Sequence, residues 1–341
     1  MNLVKDKKNW NFFLNEFIKN GSCDAYHDYD YLNLYKSDST EPILFVNQNS
    51  DKLFILPFLK KRISETTYYD FESAYGYGGP ISSSLDESFI NESWIKFKEE
   101  LNKEKIIAGI IRFHPILNSK KIIENNLIKV IYKCDTVVME CKNSLEEARN
   151  KYAKDIKNRL KKINKNSITV NISNEINTLQ KFKNIYQERM KSLNADKNYF
   201  FTQNYFDNFE RLDEKNWKIL SINLENKLIG AAILLFSKKI CNVHLSSSLQ
   251  EYFKFSPNII IRDKIIEHCY NKKIHYIHFG GGRTSSKDDS LLNFKKKFCS
   301  DLKTYFLGGI ISNSDIYKKF IKEKYNKNSP KYANYFLKYR Y

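Results

Sequence analysis

An α/β (α+β) fold, with mixed sheets flanked by helices, is what this 341-residue sequence predicts. Three observations carry the prediction. Segments with apolar residues at helical spacing interleave with short apolar or alternating runs along the whole chain. Hydrophobic residues make up 42% of it, enough for a sizeable core and too many for a disordered protein. No low-complexity linker divides it, and its length allows two ordinary domains.

Taken in order, residues 10–18 form a first helix, and 42–47 and 52–59 are hairpin strands around the turn-rich NQNSD. Residues 89–101 are helical, 106–113 a buried strand and 130–140 another strand. The character then changes. Residues 146–165 (EEARNKYAKDIKNRLKKINK) predict a helix with Tyr152, Ile156, Leu160 and Ile163 on one face. Eight Lys or Arg lie between Arg149 and Lys165 with only Asp155 opposing them, and a domain boundary is placed at 145/146. A strand at 168–172, helices at 176–191 and 203–212, and strands at 217–224, 228–236 and 240–247 follow. The next helix, 257–271, has Ser256 as N-cap, Pro257 at its first position and a stripe of Ile261, Ile265, Ile266 and Cys269. A strand at 275–279, a short helix at 291–299, a strand at 305–311 and a Tyr-rich terminal helix complete the order.

The formal charge is +18. A protein this basic meets a polyanion: nucleic acid, a phosphorylated substrate or an anionic membrane surface. A lysine-rich surface serving solubility alone gives the same number. No run approaches the about 20 apolar residues that span a bilayer, and the N-terminus has no apolar signal region. Six dispersed cysteines without a CxxC pair predict reduced thiols in a cytoplasmic protein, and the scattered histidines offer no metal spacing.

Chemistry concentrates in HFGGGRTSSKDDSLLNFKKKF, residues 278–298. Asp289 or Ser290 can cap the helix that follows. At 100° per residue from Phe294, the residues Phe294, Phe298, Leu291, Cys299 and Leu292 span about 160°. Lys295 falls inside that arc, whereas Lys296 and Lys297 point away from it. A lysine on an apolar face either snorkels to the edge or serves a site, and the wheel leaves both open. Glycines 280–282 at a strand end let backbone N–H groups approach an anion, or simply make a tight turn. The loop YGYGGP (75–80) has the same two readings.

Together these pieces resemble the Fem-type aminoacyltransferases and their GNAT-fold relatives. Those enzymes show an HLSGS strand, an SPN turn, a GGG…DSLxxFKxxF block and a YGYGGP loop. Here the pieces are HLSSS (244–248), SPN (256–258), GGG–DSLLNFKKKF (280–298) and YGYGGP (75–80). The basic helix at 152–165 and the segment 186–206 resemble two further family blocks, so the correspondence runs from about residue 25 to 320.

The resemblance implies two GNAT-like domains, 1–145 and 146–314, with a substrate cleft between them and residues 315–341 returning to the first. No heptad run exists for the coiled-coil arm of some members. Members acylate an amine from aminoacyl-tRNA, on a peptidoglycan-precursor peptide or, in relatives tied to surface polysaccharide, an amino sugar. The functional lysine of the family's FK pair maps onto Lys295. Around it, Gly280, Gly281, Gly282, Arg283 and Phe294 are expected to contact substrate, as are Tyr75, Tyr77, Gly78 and Gly79 of the first half and Lys157 and Arg159 of the basic helix.

Aminoacyl transfer to an amine needs positioning and charge stabilisation. Lys295 is the expected oxyanion or phosphate partner, and Asp289, Asp288 and His244 are candidate bases, although Asp289 is more readily a helix cap. No nucleophilic triad is present, so direct transfer without an acyl-enzyme is expected. No tightly bound cofactor or metal is implied. The implied partners are a tRNA acceptor arm, a nucleotide- or lipid-linked sugar or peptide acceptor, and peripherally the inner face of the membrane. One alternative keeps the fold and uses acetyl-CoA to acetylate a nucleotide-linked amino sugar. GNAT enzymes hold CoA pyrophosphate on a glycine-bearing loop, whereas the equivalent LQEYFKFSP has no glycine. A second alternative is a non-enzymatic basic RNA- or membrane-binding protein, which accounts for the charge and not for the GGG–Lys295 block.

Overall fold

The structure is a computed structural model, and it describes residues 2–163, 168–286, 288–325 and 334–340. Its first strands and helices are β1 (Leu3–Val4), α1 (Lys7–Asn20), α2 (Tyr29–Asn33), β2 (Thr40–Asn49), β3 (Lys52–Arg62), β4 (Tyr69–Glu72), β5 (Ile81–Ser82), α3 (Glu87–Lys103), β6 (Ile106–Arg112) and α4 (Lys120–Ile123). Then come β7 (Lys129–Glu140), α5 (Leu145–Asn150), α6 (Lys154–Lys162), β8 (Ile168–Ser173), α7 (Ile176–Ser192), α8 (Gln203–Asp207), β9 (Trp217–Leu224) and β10 (Lys227–Phe236). β11 (Ile240–Ser248), α9 (Pro257–Asn271), β12 (Tyr276–Gly281), α10 (Ser290–Lys296), β13 (Leu302–Ile311) and α11 (Ser314–Lys324) complete the series. The mixed α/β class expected from the sequence is what the chain adopts.

Two compact units form, Met1–Lys133 with Thr304–Tyr341, and Cys134–Lys303. The boundary differs from the expected 145/146 because the second half of β7 is a sheet strand of the second unit, paired with β12 from Thr136↔Gly281 to Glu140↔Tyr276. Likewise the return to the first unit starts at Thr304, ahead of residue 315. Strand β13 pairs with β6 from Leu307↔Arg112 to Ile311↔Ala108.

In the first unit the sheet order is β1-β2-β3-β4-β6-β13, with only β4 and β6 parallel among these neighbours. Asp86 caps α3 through its side chain, and Phe89, Trp94, Phe97 and Leu101 bury one face of that helix against Phe45, Phe54, Phe58 and Phe71. Each such side chain contributes about 1.5–3 kcal/mol by leaving water. A second cluster joins Ile107 and Ala108 with Ile63, Phe320, Phe336, Leu337 and Tyr339. The Tyr-rich terminal helix is realised as α11, and most of the remainder of that expectation, residues 326–333, lies outside the described residues.

The second unit has the order β7-β12-β11-β10-β9-β8, in which only β11 and β12 run parallel. Helix α9 makes the crossover between them and covers one face with α5, α6 and α10 (Ile261, Ile265, Ile266, Tyr152, Ile156 and Leu292). The other face carries α7 and α8, reached by the Ser247 hydroxyl at Ile185 O (3.5 Å) and by His244 at Tyr205.

The basic helix expected at 146–165 is broken into α5 and α6. Ala153 donates its N–H to Lys297 O (2.8 Å) instead of to the preceding turn. Arg149 turns from solvent to a two-pronged pair with Asp263 (2.8 and 2.7 Å) and a third bond to Glu267 (2.8 Å). Residues 164 and 165 of that expectation lie outside the described residues. Ser256 does occupy the N-cap of α9, but in left-handed conformation (φ 55°) and without a side-chain cap bond. The expected helix 203–212 divides into α8 and a 3-10 turn at Asn208–Arg211.

Candidate active site

Strands β11 and β12 pair from Ile240↔Tyr276 to Asn242↔His278 and then part. Beyond that point β11 stays on β10, out to Ser248↔Gly230, and β12 stays on β7, out to Gly281↔Thr136. The carboxyl ends of two adjacent parallel strands thus diverge, which is where open α/β sheets receive ligands.

A β-bulge marks the same level of β11. Leu234 opposes Val243 while Ile233 opposes Leu245, so His244 is the extra residue. The bulge resets the alternation. Ser246, opposite Ala232, now shares the α9 face with Val243, opposite Leu234.

Lys295 on α10 is 7% exposed, while Lys296 and Lys297 are exposed, as the helical wheel requires. Its Nζ donates to Gly281 O at the end of β12 (2.6 Å). Burial, and next the nearby Arg262 guanidinium, drop its pKa from the usual 10.5 to about 7. Helix α10 ends at Lys296, short of the expected residue 299, because Lys297 and Phe298 donate back three residues, to Phe294 O and Lys295 O, in a tightened last turn.

Asp289 fixes this helix and the loop before it. One carboxylate oxygen accepts from Leu291 N (2.9 Å) and Leu292 N (3.0 Å). The other accepts from Arg283 N (2.9 Å), Thr284 N (3.0 Å) and Thr284 Oγ1 (3.1 Å). Burial raises its pKa, but these bonds outweigh burial and hold the carboxyl below its usual range. Asp289 is therefore a cap and loop clamp, which leaves no oxygen idle for proton abstraction. Asp288 is exposed, and its neighbour Lys287 lies outside the described residues.

The glycines are needed for closeness. A Cβ at Gly281 would meet Cys134 Sγ at 2.7 Å, and one at Gly282 would meet the Asp289 carboxyl at 2.5 Å. Gly280 takes a left-handed φ of 73°. Arg283 is exposed and enters the site through its backbone N–H. Phe294 packs edge-on to Phe298 (5.6 Å) against the α9-face core.

His244 does not join this group. It is 6% exposed on the α7–α8 side, with Nε2 against Tyr205 Oη (2.6 Å) and its ring beside Phe201. Burial takes its pKa down to about 3. On α6, Lys157 donates to Asn150 O (3.1 Å), and Arg159 is exposed with Lys154, Lys161 and Lys162.

Tyr75, Tyr77, Gly78 and Gly79 belong to the first unit, where their loop is firmly pinned. Tyr75 O accepts from Tyr31 Oη (2.6 Å), Gly79 O is bonded to His27 Nε2 (2.9 Å), and Tyr77 packs edge-on to Tyr305 (4.9 Å). A Cβ at Gly78 would meet Tyr26 O at 2.7 Å.

Arg262 lies beside Lys295, although no motif singles it out in the sequence. This residue of α9 is 5% exposed, its Nη1 donates to Ser246 Oγ (3.1 Å), and burial takes its pKa down to about 10. The wheel that found Lys295 would have found it too. From Ile261, the buried Ile265, Cys269 and Ile266 lie at about 40°, 80° and 140°, with Arg262 at about 100°.

Residues 150–296 match the family model of an acetyltransferase (GNAT) domain. The chain superposes on FemX with a TM-score of 0.70 at 12% identity, covering 94% of this chain and 99% of that one. The C-terminal (DUF2156) domain of a protein from Agrobacterium fabrum described as a lysylphosphatidylglycerol synthetase gives 0.53 at 10% identity, over 91% of this chain and 94% of that one. A tandem GNAT protein from the clavulanic acid biosynthesis pathway gives 0.53 at 4% identity, over 91% and 98%. No curated protein matches the sequence. The chain therefore has a Fem-like fold of GNAT type, and its stretch 150–296 matches the GNAT acetyltransferase domain model.

Proposed function

We propose that this acyltransferase-fold protein forms an amide on an amino group of a cell-envelope precursor, an amino sugar or a peptidoglycan peptide, with aminoacyl-tRNA as the acyl donor. The observation that carries the reading is Lys295, buried where β11 and β12 part and held against Gly281 O (2.6 Å). A neutral amine attacks the ester carbonyl, and negative charge collects on the former carbonyl oxygen. That intermediate collapses by expelling the ribose oxygen, which leaves as a hydroxyl with the proton that the amine nitrogen gives up. A buried ammonium stabilises such an oxyanion far better than one in water, because little solvent screens it. With its pKa brought down to about 7 by burial, Lys295 changes its protonation state close to neutral pH. An arriving anion draws the proton onto it.

The connection from β11 to α9 supports the tRNA donor. Residues Gln250–Phe255 form a 3-10 helix with Tyr252 stacked on Phe255 (6.2 Å), and no glycine is present to bring backbone N–H groups onto a pyrophosphate. The exposed cations of α6 suit phosphate contacts to an acceptor arm. Among the described residues no helix is long and apolar enough to cross a membrane, so contact with a lipid-linked acceptor is peripheral in this reading. The match to an acetyltransferase domain model favours a second reading, in which acetyl-CoA acetylates a nucleotide-linked amino sugar.

A donor assay separates the two. RNase-sensitive transfer of a labelled amino acid to an amine acceptor supports the first reading. Product formed from acetyl-CoA without tRNA overturns it in favour of the second.

A further inference from the structure

We infer that Asp24, His27, His114 and Asn118 of the first unit are positioning residues, a buried brace that holds the loop 75–80 in the one shape that receives the acceptor. That the ligand is the acceptor rests on the proposed function; the brace itself does not.

The loop lies at a ligand-facing place in its own unit. It belongs to the connection from β4 to the crossover helix α3, and β4 runs parallel to β6 from Tyr69↔Ile106 to Glu72↔Ile110. The carboxyl end of such a parallel pair is where open α/β sheets receive ligands.

Three carbonyls of the loop are held by side chains. Tyr31 Oη donates to Tyr75 O (2.6 Å), His27 Nε2 to Gly79 O (2.9 Å) and Asn118 Nδ2 to Pro80 O. The glycines close the remaining space. A Cβ at Gly76, whose φ is 108°, would run into the Tyr26 ring, and one at Gly79 would meet Asn118 Oδ1 at 2.7 Å.

The bonding partners fix the protonation of both histidines. Gly79 O only accepts, so His27 carries its proton on Nε2, and its Nδ1 accepts from Asp24 N–H (3.1 Å). Ile116 and Leu117 give their N–H groups to His114 Nδ1 (3.1 and 3.2 Å), so His114 donates from Nε2 to the Asp24 carboxylate (2.9 Å). The other Asp24 oxygen accepts from Ala25 N–H (2.8 Å). Asn118 ties the two sides together, accepting from His114 N–H (2.5 Å) while it donates to Pro80. Burial, and next His114, take the His27 pKa down to about 4, so the neutral ring that this pattern needs is the form present at neutral pH.

Asp24, His27 and His114 are each 2% exposed or less. A polar network this deep is unfavourable unless its bonds are made, and once made it admits one loop shape. Apolar side chains would fill the same space without fixing the carbonyls. The brace therefore points to a loop whose shape matters to a ligand. Its two large side chains, Tyr75 and Tyr77, are half-buried, and Tyr77 packs edge-on to the His114 ring (6.3 Å).

The test uses the full chain and three variants: His27→Leu, His27→Gln and Asn118→Ala. Hydrogen exchange over residues 73–82, read by mass spectrometry, reports on the brace. Exchange there should quicken about tenfold or more in His27→Leu and Asn118→Ala, and return towards wild type in His27→Gln, whose amide still donates to Gly79 O. Exchange as slow in both as in the wild type overturns the brace. Asn118 is half-buried, so Asn118→Ala carries the test if His27→Leu fails to fold. Transfer kinetics read the role. The donor is labelled alanine on an RNA minihelix ending in CCA, and the acceptors are UDP-glucosamine and a lysine-bearing pentapeptide. In the variants with quickened exchange, KM for the acceptor should rise about five- to tenfold, with kcat and KM for the minihelix within about twofold of wild type. A merely structural defect would not split the constants in that way. Quickened exchange with an unchanged acceptor KM, or with all constants moving together, refutes the positioning role and leaves the acyl-transfer reading intact. No transfer by the wild type to either acceptor, from the minihelix or from acetyl-CoA, sinks the reading and the acceptor with it, while exchange still decides the brace.

Discussion

Replacing Lys295 with Met should make the protein more stable and far less active. The wild-type ammonium is buried beside Arg262 with one hydrogen bond, and its pKa falls from 10.5 to about 7. At about 1.4 kcal/mol per tenfold change, that drop sets a ceiling of about 5 kcal/mol on the cost of the folded charge at pH 7. Met keeps the apolar stem and removes the charge. Its own losses are the bond to Gly281 O, about 1 kcal/mol, and imperfect packing of similar size. A net gain of about 1–3 kcal/mol remains. The pH dependence follows from linkage. Between pH 7 and 10.5 the unfolded lysine holds a proton that the folded one has released, so wild-type stability rises with pH across that window. Below pH 7 both states are protonated, and the contribution is flat and at its least favourable. Urea denaturation of both proteins at pH 7 and 10.5 should show the variant's advantage shrinking as pH rises. Transfer should drop at least tenfold. A variant less stable than wild type at pH 7 would refute the account of Lys295 as a strained functional group.

Three further outcomes follow from the same geometry. Gly282→Ala drives a Cβ into the Asp289 carboxyl and should cost about 1–3 kcal/mol, with transfer falling as the loop shifts; thermal melts alongside kinetics check both. Asp289→Ala removes five accepted hydrogen bonds and should lower stability by about 1–3 kcal/mol. The wild-type contribution is present above the ordinary Asp range and is lost as pH falls through the lowered folded value, so the variant should lack that part of the acid-unfolding limb. Intact stability with abolished transfer would instead mark Asp289 as a base. His244 has a folded pKa of about 3 against the usual 6.5, so the unfolded state binds its proton first and stability falls as pH drops from 6.5 towards 3. His244→Asn should flatten that limb, and an unaltered limb in acid titration by circular dichroism would contradict it.

The element order was legible because burial forces periodicity. The helix at Pro257–Asn271 has the bounds its cap, proline and isoleucine stripe predict, and the wheel on residues 291–299 picked out the one buried lysine of three. What escaped was set by distant partners. Nothing local to residues 151–153 reveals that Ala153 bonds Lys297 O, and that bond splits the basic helix. Strand β4 is four residues long and takes its identity from its neighbours β3 and β6. Asp289 was rightly expected as a cap, but its hold on Arg283 and Thr284 depends on how the loop folds back. His244 sits in a sequence block that resembles a family signature, yet the bulge it occupies places it on the α8 side.

The sequence by itself determined the α/β class, the run of elements and the place of Lys295 on the apolar face of its helix, because each follows from which residues repeat at 3.6 or 2 positions and must leave water. Only the tertiary structure decided that β11 and β12 part after Asn242↔His278, that Asp289 is fully committed, and that Arg262 shares the burial of Lys295. Residues 262 and 295 lie far apart along the chain, and no local pattern carries their approach. It arises when the α9 crossover returns the chain to the neighbouring parallel strand, and with it come the burial and the neighbouring guanidinium that lower the lysine's pKa.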